Sequence, residues 1–203
     1  MAKKEVPISA LDERELISRS KTGDAASFTE LVNRNEKRIY SLAYHLLNNR
    51  EDAEDVLQET FFKAYHNLKT FRGDSSFNTW LHRITTNLVI SRFRKRKIVT
   101  ESLDIPIETE QGTIHQRNIV DWSNIPDKVL LKKELNAVID TTIAALPIEY
   151  RTVLSLRDIE GLSNEETGRI VGISVAAVKS RVHRARLFIR EKLDVYLKAT
   201  VKN

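Results

Sequence analysis

The sequence predicts an all-α protein made of two small helical domains joined by an acidic linker. Its 203 residues include only 6 Gly and 4 Pro, so residues that break helices are rare. Apolar residues recur at spacings of three and four over long stretches. Charge also changes sign along the chain. Residues 1–97 carry 18 basic and 13 acidic side chains (net +5), residues 98–134 carry 4 and 7 (net −3), and residues 135–203 carry 11 and 8 (net +3). Two basic segments around an acidic one indicate two modules that meet one polyanion.

The composition also excludes several classes of protein. There is no Cys, so neither a disulfide framework nor a thiolate metal site can form. The N-terminal segment lacks the apolar core of a signal peptide, and no apolar run approaches the length of a membrane span. The 5 His are scattered without metal-binding spacing, and no nucleophile–base pair stands out. We therefore expect a cytoplasmic protein that is not an enzyme, inserts into no membrane, and has no catalytic residues, bound metal or cofactor.

The first domain is expected over residues 10–97 as a bundle of helices with short connections. Asp24 is a typical N-cap for a helix from Ala25 to about Leu47, and Asn49 for the helix that follows. A loop, "KTFRGDSS", then leads into a third helix, "NTWLHRITTNLVISRFRKRK".

The helix after Asn49 carries carboxylates at the spacing i, i+3, i+7. They are Asp52, Asp55 and Glu59, and Gln58 and Phe62 lie beside them. Such an acidic stripe next to an exposed aromatic suits a basic helical partner protein better than it suits DNA. A solvated surface is the alternative interpretation.

The third helix packs at its Trp80 end and carries a cluster of bases at the other. Its polar and basic side chains include Arg83, Asn87, Arg92, Arg94 and Arg96. Bases near phosphates release counterions, so this end should hold a nucleic-acid backbone in a salt-dependent way. In the loop before the helix, Phe71 and Phe77 surround small hydrogen-bond donors, which suits the capture of unstacked single-stranded bases. Core packing of the two rings is an equally good interpretation.

The pattern fails from residue 98 to residue 125, a polar and acidic segment with Pro and Gly. A long aperiodic segment inside one domain is unusual, so we expect a flexible linker that leaves the two domains loosely coupled. Periodicity resumes near Pro126, and a second domain is expected over residues 126–197. Pro147 suits the first turn of one of its helices, which Gly161 would end.

The most specific segment is "LSNEETGRIVGISVAAVKSRVHRARLFIREKL". Ser163 and Glu166 match a capping box that starts a short helix. Gly168 permits close helix contact, Gly172 permits a positive φ, and Ser174 suits the N-cap of the next helix. This arrangement predicts a helix-turn-helix.

The second helix of this motif separates into two faces. Its apolar stripe contains Val175, Val178, Val182, Ala185 and Ile189. The opposite side and its flanks carry Ala176, Ala177, Lys179, Ser180, Arg181 and Arg184. Small residues there let the backbone enter a major groove, where Ser and Arg can reach base edges. A solvated basic face on an ordinary helical hairpin is the alternative.

Four ordered segments, "DAEDVLQETFFKAY", "FRGDSSFNTWLHRITTN", "LPIEYRTVLSLRDIEGLSNEETG" and "VKSRVHRAR", resemble the extracytoplasmic-function (group IV) sigma factors of bacterial RNA polymerase, in the sigma-70 superfamily. The resemblance covers nearly all of residues 24–195. It implies that the first domain is sigma region 2, which binds core polymerase and recognises and melts the −10 element. The second would be sigma region 4, which recognises the −35 element.

The resemblance also implies residue roles and partners. The partners would be promoter DNA and core RNA polymerase, through its β′ and β subunits, together with the anti-sigma factor that such proteins often have. The polymerase-binding residues would be Asp52, Asp55, Gln58, Glu59 and Phe62. The −10 residues would be Phe71, Arg72, Ser75, Ser76, Phe77, Asn78, Arg83, Asn87, Arg92, Arg94 and Arg96. The −35 residues would be Ala176, Ala177, Lys179, Ser180, Arg181 and Arg184. The sequence departs from the usual pattern at Asn78 and His82.

Two other functions share part of this pattern. A two-domain helix-turn-helix regulator that is not a polymerase subunit would explain the second domain but not the acidic stripe. A DNA-processing enzyme with an accessory helix-turn-helix would need a nucleophile or a carboxylate cluster, which the sequence does not offer.

Overall fold

The computed structural model describes residues 7–99 and 128–200, and within these ranges it contains helices and no strand. The all-α prediction is confirmed. In this described part of the chain, two 3₁₀ turns, Ile8–Ala10 and Leu68–Thr70, accompany eight α-helices. The helices are α1 (Glu13–Lys21), α2 (Ala25–Leu47), α3 (Arg50–Asn67), α4 (Phe77–Val99), α5 (Lys128–Ala145), α6 (Ile148–Leu154), α7 (Asn164–Val171) and α8 (Val175–Thr200). The expected linker lies outside the described residues from residue 100 onward.

Side chains cap the helices of the first domain. The carboxylate of Asp24 accepts hydrogen bonds from the backbone N–H groups of Ala26 and Ser27, as expected for the N-cap of α2. Asn49 caps α3 by accepting from the N–H of Asp52. The chain turns between α2 and α3 at Asn48, which has a φ of 49°. Both predicted caps are therefore confirmed, and they define where the two long helices begin.

The core of the first domain lies between α2, α3 and α4. Leu31, Ile39 and Leu81 are fully buried there, and Trp80 packs against the same cluster. The packing end of the third helix was thus correctly predicted. The opposite end, with exposed Arg94, extends beyond this core.

The second domain begins with α5 and α6. Pro147 occupies the N-cap position of α6, one residue before the predicted first turn. After α6 the chain continues into a π-helical turn, Ser155–Ile159, which ends before Gly161 at a φ of 71°. Gly161 therefore supplies the left-handed conformation that was expected to end this helix.

The two domains pack directly against each other. Leu46 of α2 and Leu88 of α4 share one buried cluster with Leu156, Leu162 and Ile170 of the second domain. The prediction of loosely coupled domains is therefore wrong for this structure. Aperiodic sequence between two domains gives no information about whether their surfaces are complementary.

Candidate nucleic-acid interface

The helix-turn-helix consists of α7, a tight turn and α8. Ser163 and Glu166 form the predicted capping box, with the Ser163 hydroxyl accepting from the Glu166 N–H at 3.1 Å. Gly172 has a φ of 74°. A Cβ on Gly168 would lie 2.8 Å from the carbonyl oxygen of Ile173, so the turn folds tightly onto α7. These contacts fix the angle at which α8 leaves the turn.

The two faces of α8 are separated as predicted. Val178, Val182 and Ala185 are buried, whereas Lys179 and Arg184 are exposed. Of the other predicted −35 residues, Ala176 and Ser180 are exposed, and Ala177 and Arg181 are half-buried. The exposed face presents small residues at its start and bases further along, which is the chemistry that a major groove requires.

The side of α8 is anchored to the π-helical turn. Arg186 donates two hydrogen bonds to the carboxylate of Asp158, from Nε at 2.8 Å and from Nη2 at 2.7 Å. A two-point pair of this kind fixes orientation as well as distance. α8 is thus held at two places, by its apolar stripe and by this pair.

A groove of about 520 Å³ runs between α3 and α4. Its lining includes Trp80, Arg83, Asn87, Arg92 and Lys95. Of these, Arg83, Asn87 and Lys95 are exposed. The structure therefore brings three of the predicted −10 residues, Arg83, Asn87 and Arg92, to one concave surface. A concave basic surface with an aromatic ring can hold a strand backbone and its bases.

The loop before α4 differs from the expectation for its aromatic residues. Phe71 and Phe77 are 7% and 1% exposed, and both rings contact Trp80 in the core. Of the two interpretations of these rings, this conformation shows core packing, because the rings close the end of the apolar core. Lys21 holds the loop by donating to the carbonyl of Phe71 at 2.6 Å.

The polar residues of this loop remain accessible. Arg72 and Ser76 are exposed and Ser75 is half-buried. Ser76 also begins α4, because its hydroxyl accepts a hydrogen bond from the Thr79 N–H at 3.0 Å. Arg94 is exposed, and the side chain of Arg96 lies outside the described residues.

The acidic stripe on α3 faces outward and forms ion pairs with Arg92 of α4. The Arg92 guanidinium lies 3.7 Å from a carboxylate oxygen of Asp55 and 3.4 Å from one of Glu59. It also lies 3.8 Å from a carboxylate oxygen of Asp52. Burial acts against ionisation of Glu59, but Lys63 and Arg92 outweigh it and lower the pKa of that carboxyl. Arg92 therefore borders the acidic stripe as well as the groove.

The rest of the stripe is open to solvent. The side chain of Asp55 is 68% exposed, Phe62 is 64% exposed, and Gln58 is exposed. An aromatic ring this open beside carboxylates is typical of a surface that contacts another protein.

The sequence did not indicate an ionic cluster between the two domains. Glu160, which follows the π-helical turn, accepts a hydrogen bond from Arg38 Nε at 2.7 Å, and its backbone carbonyl accepts from Arg38 Nη2 at 2.8 Å. Nε2 of His82 lies 3.2 Å from the same carboxylate. Asn78, one turn before His82 on α4, has a buried amide oxygen with no hydrogen-bond donor among the described residues. The amide oxygen of Asn78, a predicted −10 residue, is therefore shielded from solvent in this structure.

Arg151 is a buried Arg whose role the sequence also did not indicate. Its Nη1 donates to the carbonyl of Leu46 at 2.7 Å, and its Nη2 donates to the carbonyls of Leu146, at 2.9 Å, and Ala144. These carbonyls lie at or just beyond the ends of α2 and α5. One guanidinium thus serves two helix C-termini from different domains.

The described residues offer neither a metal site nor a membrane span. Across residues 7–99 and 128–200, no three His, Cys, Asp or Glu side chains are placed to hold a metal ion together. None of the helices within these ranges is long and apolar enough to cross a membrane.

Comparison with known families identifies both domains. Residues 31–98 match the model of sigma-70 region 2, and residues 137–189 match the model of sigma-70 region 4. The two regions occur in one chain, in this order, on the two domains described above. This defines the class as a sigma-70 type initiation factor.

Individual relatives make the class more specific. The ECF RNA polymerase sigma factor SigW of Bacillus subtilis is 39% identical over 177 residues, which cover 87% of this chain and 94% of SigW. The chain belongs to the extracytoplasmic-function sigma factors of bacterial RNA polymerase.

Two solved structures share the fold. CnrH, solved in complex with the cytosolic domain of CnrY, has a TM-score of 0.64 at 27% identity, covering 90% of this chain and 97% of CnrH. The sigma factor RpoE, solved in complex with the anti-sigma factor NepR from Bartonella quintana, has a TM-score of 0.61 at 27% identity, covering 83% and 97%.

Proposed function

We propose that this sigma factor binds core RNA polymerase through the acidic stripe of α3, contacts the −10 element through the groove between α3 and α4, and reads the −35 element with α8. The observation that carries the proposal is the match to both sigma regions together with an exposed recognition face on α8. The alternative of a helix-turn-helix regulator outside the polymerase is not favoured, because the match to region 2 would then have no role.

The −35 role rests on the chemistry of the exposed face of α8. Ala176 and Ala177 allow close approach to the groove floor, and Arg184 can donate two hydrogen bonds to a guanine edge. Lys179, Ser180 and Arg181 are close enough in the helix to contact phosphates or neighbouring bases.

The −10 role rests on the groove rather than on the two buried phenylalanines. Arg83 and Asn87 lie one turn apart on α4, beside Trp80. Arg72, Ser75, Ser76 and Asn78 border the loop at one end, and exposed Arg94 continues the basic track at the other. Arg96 follows it two residues later in the sequence, and we assign it the same role from its charge. A strand that enters here would meet positive charge along its backbone and one aromatic ring for its bases.

The polymerase role of the stripe follows from charge and exposure. Asp52, Asp55, Gln58, Glu59 and Phe62 form a surface suited to a basic helix such as one of the β′ subunit, and region 4 would contact the β subunit. We infer a cytoplasmic protein without catalytic activity of its own, since the nucleotide chemistry belongs to the polymerase. An anti-sigma factor is a further expected partner, because RpoE was solved with one.

Run-off transcription with core polymerase on a promoter library tests the function directly. The chain should direct transcripts from a subset of promoters, and core enzyme alone should not. The double variant Asp55→Lys, Glu59→Lys should bind core polymerase at least about tenfold more weakly, because several opposed charges become repulsive.

Glu36→Lys, an exposed acidic residue on α2, is the matched control and should bind normally. Circular dichroism shows whether each variant is folded. If the double variant and the control co-purified equally with core polymerase, the stripe would be a solvated surface and not a polymerase-binding one. Absence of transcripts from every promoter would contradict the proposed function itself.

A further inference from the structure

The contact between the two domains centres on a buried carboxylate. The side chain of Glu160 is 4% exposed and that of His82 is 0% exposed, although the two residues come from different domains. Arg38 donates to both the side chain and the backbone carbonyl of Glu160. A buried carboxylate is tolerated only when partners of this kind surround it, so Glu160 depends on the first domain for its environment.

Apolar packing surrounds this polar centre. Leu156 and Leu162 lie on either side of Glu160 in the sequence, and both are buried in the cluster that the domains share. The interface is therefore built like a domain core with one ionic contact inside it. We call this arrangement the closed form.

The closed form is too short for the promoter. Elements centred about 35 and about 10 base pairs upstream of the start lie about 25 base pairs apart, or ~85 Å at about 3.4 Å per base pair. A compact chain of 203 residues has a radius of gyration of about 17 Å and is about 43 Å across. The two domains must therefore separate before both elements are bound.

The length of chain between the domains permits this separation. Residues 100–127 are 28 residues, and a fully extended segment of that length reaches at most about 100 Å.

We propose that Glu160 is an autoinhibitory latch: with Arg38 and His82 it holds the free sigma factor in the closed form, and core polymerase and promoter DNA bind the form in which this contact is broken. The inference rests on the proposed function, because two separated promoter elements are what require opening. Any ligand that binds the open form better than the closed form shifts the population toward the open form. Because the latch lowers the fraction of free protein that is open, it lowers the apparent affinity for such a ligand by the same factor.

The absence of Cys makes the latch measurable. Spin labels on Lys37→Cys of α2 and Arg169→Cys of α7, both exposed positions, report the distance between the domains. The free chain should give a short distance, and addition of core polymerase with a promoter fragment should give a long one. Glu160→Gln should raise the open-to-closed ratio of the free chain by roughly 10- to 100-fold, since it weakens hydrogen bonds to charged groups.

Glu165→Gln is the matched control. It removes the same charge from an exposed position of the same domain, so it should leave the distance unchanged. Affinity for core polymerase should rise for Glu160→Gln by up to the same factor and stay constant for the control. A purely structural role for Glu160 would not increase this affinity.

Arg38→Gln, on the first domain's side of the contact, should raise the open fraction of the free chain in the same way. If Glu160→Gln does not fold, the distances measured in Arg38→Gln test the latch in its place. Long distances in the unmodified free chain, or equal distances in the latch variants and the control, would overturn the proposal. Run-off transcription separates the two inferences: opening by both latch variants without any transcript would refute the proposed function and leave the latch intact.

Discussion

Replacing Arg151 with Met tests whether a buried base stabilises this fold. The side chain of Met has similar length but no donors, so the change leaves the carbonyls of Leu46, Ala144 and Leu146 without their shared partner. Burial also opposes the charged form and lowers the pKa of Arg151, so the wild-type residue carries a desolvation cost that Met removes.

The magnitude follows from these opposing contributions. Each of the three buried acceptors that loses its donor costs about 1–3 kcal/mol, with the lower end applying to carbonyls at helix ends that water can reach. Relief of desolvation and burial of the Met side chain return about 1–2 kcal/mol. The net loss should be about 3 kcal/mol, which corresponds to a fall in Tm of about 6–12 °C for a chain of this size.

Urea unfolding followed by far-UV circular dichroism measures this loss. Arg169→Met, an exposed Arg of the same domain, is the matched control and should change the free energy of unfolding by less than about 0.5 kcal/mol. If Arg151→Met were as stable as this control, desolvation would fully offset the hydrogen bonds, and Arg151 would not stabilise the contact between domains.

Three further outcomes are expected. Ser163→Ala should lower the free energy of unfolding by about 1 kcal/mol by urea titration, and no change would show that the capping box is redundant. Arg184→Ala should weaken holoenzyme binding at the matched −35 sequence by about 1–3 kcal/mol more than at mismatched sequences. Arg94→Ala should weaken binding equally on all sequences and reduce the dependence of affinity on salt concentration. Equal behaviour of the two variants would refute the division of roles. Burial disfavours the charged Glu160, but His82 and Arg38 outweigh burial and lower the pKa of its carboxyl below the ordinary value for Glu. The stability that Glu160 adds is therefore fully present when the pH is well above that ordinary value, and it is lost as the pH falls through the lowered pKa. Glu160→Gln should accordingly differ from wild type at about pH 6 and progressively less at lower pH.

Local patterns predicted the helix boundaries well. Asp24, Asn49, Ser163 and Gly172 act on groups at most three residues away or through their own φ, so their roles can be deduced from short sequence windows. The separation of faces on α8 is likewise a property of one helix. For the same reason the sequence alone predicts which face of α8 is exposed.

Contacts between distant segments could not be predicted in this way. Arg38 and Glu160 are 122 positions apart, and Arg151 is 105 positions from Leu46. In sequence each is one of many charged residues, and nothing local distinguishes a buried one from a solvated one. Phe71 and Phe77 were ambiguous for the same reason: a ring next to a basic track can face a ligand or the core, and only the packing around Trp80 decides.

The π-helical turn Ser155–Ile159 has a consequence for how this domain contact could be gained or lost. The N–H of Glu160 donates to the carbonyl of Ser155 at 2.9 Å, five residues back, so the turn holds one residue more than an α-helical turn. Five residues bonded in this way turn the chain by about as much as four α-helical residues at about 100° each, so the wider turn takes up the additional residue. Deleting one residue from it would therefore restore the ordinary period and leave the segments that follow in nearly the same orientation. The contact between the two domains is thus sensitive to the side chains at Glu160 and Arg38, and it tolerates a change of one residue in the length of this turn.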